Sequence, residues 1–67
     1  MRRYLIQYGV EGACEFWNEQ RQVSKNIDEV VAGGFVDVKK ATYLRDLWNE
    51  YANGRCTFKV VAAETES

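Results

Sequence analysis

The chain has 67 residues, nine basic and ten acidic side chains, a net charge of −1, and neither histidine nor proline. A chain of that length makes one domain, residues 1–67, able to bury only about 60% of its unfolded surface. The balanced charge gives no net field toward nucleic acid or anionic lipid, no apolar run nears the roughly 20 residues of a membrane span, and the usual general base and metal ligand are missing.

The opening MRRYLIQYGV places two arginines before apolar residues, as a signal peptide would, but Gln7 and Gly9 interrupt the run and Glu11 closes it. It therefore reads as mature protein in the cytoplasm. Within it, Arg2 to Tyr8 alternates Tyr4, Ile6 and Tyr8 with Arg3, Leu5 and Gln7, the period of a strand. Gly9 to Gly12 supplies two glycines for a hairpin loop. Ala13 to Asn18 alternates again, with Cys14 and Phe16 on one side and Glu15 and Trp17 on the other, and reads as a second, antiparallel strand.

Glu19 to Lys25 is mostly charged or amide-bearing, so it reads as a loop or as a strand end carried past the sheet. Asn26 to Gly34 offers an N-cap at Asn26, acids at Asp28 and Glu29, and Ile27, Val30 and Val31 at helical spacing before a glycine pair. A short helix fits that pattern; the branched residues also suit a short strand through Val30 to Ala32.

Asp37 to Gly54 is the strongest signal and predicts the main helix. Asp37 can cap its first turn, and Asn53 and Gly54 can take the left-handed conformation that ends it. Ala41, Leu44, Leu47, Trp48, Tyr51 and Ala52 recur at spacings of three and four on one side, while Lys39, Thr42, Asp46, Asn49, Glu50 and Asn53 take the other. Arg55 to Ala62 then alternates Cys56, Phe58 and Val60 against Arg55, Thr57 and Lys59, a last strand whose apolar side faces the helix. Residues 63–67 are small and acidic and read as a frayed tail. The expected fold is α+β, an N-terminal hairpin and a C-terminal strand in one small antiparallel sheet packed on one main α-helix, with a possible additional short helix.

Little in this inventory supports catalysis. Ser24, Thr42 and Thr57 lack an activating context, and neither cysteine has a histidine beside it. Asp46 and Glu50 lie one helical turn apart on the solvent side, which suits a hydrated surface. Cys14 and Cys56 read as reduced, small apolar residues; in an oxidising compartment they could pair. Two thiols without histidine fall short of the four ligands of a structural zinc site. The expectation is a protein with no catalytic residue, no metal and no cofactor.

Nine of the 67 residues are aromatic, more than one small sheet face hides. With Phe16, Trp48, Tyr51 and Phe58 in the core, Trp17 falls on the outer sheet face beside Leu5 and Val61, and Tyr43 at the helix border. Exposed aromatics near charges are interface composition. An apolar outer face also suits a homodimer.

The order hairpin, helix, strand, with Phe16, Trp17 and Asn18 in the hairpin and Phe58, Lys59, Val60 and Val61 closing the sheet, resembles short accessory proteins of tailed bacteriophages, the anti-CRISPR proteins among them. The resemblance implies a non-catalytic, phage-encoded inhibitor in the host cytoplasm that blocks a host or defence protein complex by occupying its surface. Acids set where nucleic acid would bind are then Glu15, Glu19, Asp46 and Glu50. The interface expected here is Trp17, Glu19, Tyr43, Asp46 and Glu50. The alternative from a different class is a helix-turn-helix-like DNA regulator spanning Asn26 to Trp48 and using Lys39, Lys40 and Arg45, against which the slightly negative charge argues.

Overall fold

A computed structural model describes residues 1–10 and 12–65. The element order is β1 (Arg2–Val10), β2 (Ala13–Trp17), β3 (Val23–Ser24), two short 3-10 turns (Ile27–Glu29 and Val31–Gly33), α1 (Val38–Ala52) and β4 (Phe58–Glu64). The strands form one antiparallel sheet in the order β3-β2-β1-β4, with β2 and β1 at its centre and the long strand β4 on the edge beside β1. The chain is thus a small α+β domain.

Strand β1 runs two residues further than its alternation predicts and pairs Val10 with Ala13. The hairpin loop is therefore shorter than residues 9–12, and Glu11 within it lies outside the described residues. Gly9 sits inside the strand at φ 100°, with the Ala13 carbonyl oxygen 2.8 Å from where a Cβ would stand. Such a backbone suits only glycine. Strand β3 forms within the segment read as a loop or strand end. At the other end, β4 includes Ala63 and Glu64, where a frayed tail is expected. Arg3 pairs with Ala63, Arg2 with Glu64, and the Thr65 amide donates to the Met1 carbonyl at 2.8 Å. Residues 66 and 67 lie outside the described residues.

The helix begins and ends as its caps require. The Asp37 carboxylate accepts from the Lys39 amide at 2.9 Å, and Asn53 closes the helix in the left-handed region at φ 52°. Its buried stripe runs through Ala41, Leu44 and Trp48, which pack with Ile6, Phe35, Tyr4, Trp17, Phe58 and Val60. Two edge-to-face contacts, Trp17 on Trp48 at 5.8 Å and Trp48 on Phe58 at 5.4 Å, close this core at the C-terminal end of the helix.

This arrangement corrects the face of β2. Paired residues of an antiparallel ladder share a face, and Trp17 pairs with Ile6. Trp17 therefore points at the helix, and Phe16 and Cys14 point away from it. Asn49, placed on the solvent side by its spacing, instead turns to the sheet. Its amide donates to the Phe58 carbonyl at 3.1 Å and accepts from the Phe58 amide at 2.7 Å, fixing where β4 starts.

The segment 26–34 is neither a helix nor a strand but the pair of 3-10 turns, the first capped by Asn26 accepting from the Asp28 amide. The glycine pair, with Gly33 closing the second turn and Gly34 following it, leaves no length for a regular helix. The turns reach the outer face at its Arg3 end: Arg3 Nη1 donates to the Gly34 carbonyl, and a Cβ at Gly34 would lie 2.9 Å from Arg3 Cβ. Leu5 on that face is fully buried, as is Val30. Buried Asn18 ties the turns to the sheet, its amide donating to the Val30 carbonyl at 3.0 Å and to Gln22 Oε1 at 2.9 Å, while its Oδ1 accepts from the Gln20 and Gln22 amides. Phe35 then takes the place beside Tyr4 that β2 has vacated, exchanging backbone hydrogen bonds of 2.7 and 2.8 Å, and carries the chain to the helix side.

Candidate functional site

The largest exposed apolar side chains in the chain's second half line up on α1. Tyr43, Leu47 and Tyr51 are 67%, 36% and 84% exposed and are spaced four residues apart, so they form one stripe along the helix. Leu47 and Tyr51 are expected in the core and are found outside it. The reason is angular: with about 100° per residue, Ala41, Trp48 and Ala52 point nearly together, and Leu47 lies about 120° away from them. The helix rests on the sheet along the narrower line, and the margin of the apolar stripe stays in water.

At its C-terminal end the stripe meets a groove. Trp17, Trp48, Tyr51, Ala52, Cys56 and Phe58 line an open apolar crevice of ≈ 370 Å³. Tyr51 belongs to both, so the stripe and the groove form one continuous apolar surface. Cys56 is a free thiol at its edge. Cys14, also free, sits on the other face of the sheet, so the two cysteines are separated by the sheet itself.

Beyond the Asp37 cap, the charges within α1 run against its dipole. Lys39 and Lys40 occupy the first turn and Glu50 the last, with no acid in the first turn and no base in the last. Each such placement costs about 0.3–1 kcal/mol at a helix end. Lys40 finds Glu19 at 4.0 Å, and Arg45 is held by the neighbouring Asp46, through Nε at 3.0 Å and Nη2 at 2.7 Å.

Of the five residues expected to form an interface, the structure brings Tyr43, Asp46 and Glu50 together on the solvent side of α1. Trp17 is half-buried against Trp48 in the groove rather than exposed on the outer sheet face, and Glu19 stands at the helix N-terminus with Lys40. Leu47, Tyr51, Trp48 and Phe58 join Tyr43 in the apolar surface without having been singled out for it. For Leu47 and Tyr51 the available signal was their position at the margin of the helical stripe. Of the three cations considered for DNA, Lys39 remains exposed, Lys40 and Arg45 have acidic neighbours, and the element before the turn is not a helix, so the two-helix geometry of a helix-turn-helix is not formed. Among the described residues, no helix is long and apolar enough to cross a membrane.

No protein-family model matches the chain, and no curated protein or solved structure matches it either.

Proposed function

We propose that this protein is a non-catalytic protein-binding module that engages its partner through α1, with Tyr43, Leu47 and Tyr51 as the apolar ridge and the Trp48–Phe58 groove as a socket beside it. The observation that carries this reading is the exposure of two tyrosines and a leucine in register on one helix. Large aromatics in water at a helix surface are the side chains that dominate binding energy when a partner covers them. The helix charges add support: beyond the Asp37 cap, a sequence selected only for stability would place acids in the first turn and bases in the last, whereas here lysines fill the first turn and Glu50 the last. A partner with acids facing Lys39 and a base facing Asp46 and Glu50 complements both ends. Trp17 contributes by shaping the groove through its contact with Trp48, and Glu19 by holding Lys40.

The narrower form, a phage-encoded, anti-CRISPR-like inhibitor that occupies a host or defence complex in the cytoplasm, rests on the sequence resemblance. Under it the acids Asp46 and Glu50 beside the stripe take the place of nucleic-acid phosphates on the target.

The test compares capture of partners from a bacterial lysate by the wild-type chain, by a Tyr43→Ser/Tyr51→Ser double variant and by a Phe16→Ser control on the opposite face, with bound proteins identified by mass spectrometry. Exposed substitutions should shift stability by less than about 0.5 kcal/mol each, so the double variant keeps its Tm. It should lose the captured protein while the control retains it. Undiminished capture by a folded double variant rules the helix out as the binding surface.

A further inference from the structure

The outer sheet face is covered only at its Arg3 end, and its other half is an open cavity of ≈ 900 Å³. Ladder register sets one row of side chains across all four strands there: Ser24, Phe16, Gln7 and Lys59. Neighbouring strands stand about 4.8 Å apart, so a ring, an amide and an ammonium group lie side by side on one surface. The next row holds Cys14 opposite Gly9, and Cys14 also lines the cavity. Lys25, just past β3, supplies a second ammonium group to the wall. Neither Lys25 nor Lys59 takes part in an ion pair among the described residues, whereas Arg2, Lys40 and Arg45 all do. Glu15 also borders the cavity, but it pairs with Tyr8, and its strand position directs its side chain to the helix face.

We infer that this open half of the outer face binds a small planar aromatic anion, its ring stacked on Phe16 and its anionic group paired with one of the two lysines that flank that ring, Lys25 beside β3 and Lys59 on β4. An apolar ligand would leave both ammonium groups unused, and a simple inorganic anion would leave the Phe16 ring uncovered. A ring bearing a phosphate uses both. Stacking on an aromatic side chain contributes about 1–3 kcal/mol, and lysine serves phosphate as a point charge. The Gln7 amide, between the ring and Lys59, offers a donor and an acceptor to the edge of the ligand. The site lies across the sheet from the proposed helix surface and does not depend on it.

The test is a titration of the nitrogen-labelled chain, followed by amide chemical shifts, with adenosine monophosphate and naphthyl phosphate as probes and adenosine and inorganic phosphate as controls. At least one probe should give saturable shifts at Gln7, Phe16 and Lys59. Each control should bind about tenfold more weakly, the loss expected when one of two comparable contacts is missing. A Lys25→Gln/Lys59→Gln double variant, altered only at exposed positions, should lose about tenfold in probe affinity at an unchanged Tm. Absence of saturable shifts with both probes at millimolar concentration, equal binding of adenosine, or an unaffected double variant would each overturn the site.

Discussion

The two faces of the sheet carry similar material and meet different fates. On the helix face, Tyr4, Ile6, Trp17, Phe58 and Val60 are packed by α1 along its length. On the outer face, Leu5 is as deeply buried as Ile6, yet Phe16, Gln7 and Lys59 a short distance along the same sheet border an open cavity. The difference lies in the cover. A helix of 15 residues spans the sheet, whereas two 3-10 turns of three residues each reach only one end of it. Burial on a small sheet is thus decided by the reach of what crosses it, and the uncovered half is where a ligand can enter.

That contrast can be broken most sharply with the aromatics. Trp48→Ala should cost about 3 kcal/mol, because it removes the ring against which Trp17 and Phe58 pack, while Phe16→Ala should cost less than half as much. Urea denaturation of both variants measures this, and a costlier Phe16 variant would reverse the ranking of the faces. The cover of the outer face is tested by Asn18→Ala, which strands the Val30 carbonyl and two backbone amides. The expected loss is about 2–3 kcal/mol, with hydrogen exchange rising first in residues 30–35; exchange that stays uniform would mean the turns are held by something else. The smallest effect sharpens the helix side: Asp37→Ala should remove about 1 kcal/mol through the lost N-cap and leave the outer face untouched, as read from unchanged shifts at Leu5 and Phe16.

How much of this was legible varied by element. The helix and its ends followed from Asp37, Asn53 and Gly54, because caps and apolar spacing are local properties of a few consecutive residues. The strands followed from alternation, but alternation says only that two sides differ. The face of Trp17 was nonetheless recoverable. A hairpin loop of two residues or of four leaves the same parity, and either one sets Trp17 beside the even-numbered residues of β1, with Ile6 as its partner here. The exposure of Tyr51 was harder to see, since apolar spacing marks a wide stripe and only the sheet beneath decides which part is used. The 3-10 turns and the cavity they leave open had no local signature. They depend on Asn18 and Phe35, which act across 12 residues to the Val30 carbonyl and 31 residues to Tyr4.

By itself the sequence determined that this chain is one small α+β unit, where its helix starts and stops, and that its three longer strands are extended, because each of these rests on hydrogen bonding and periodicity within a few residues. Only the tertiary structure decided which part of the helical stripe the sheet covers, that Tyr43, Leu47 and Tyr51 stand in water, and that Phe16, Lys25 and Lys59 border one open cavity. Those outcomes depend on ladder register and on how far the covering segments extend, and both are set by contacts between residues distant in the chain.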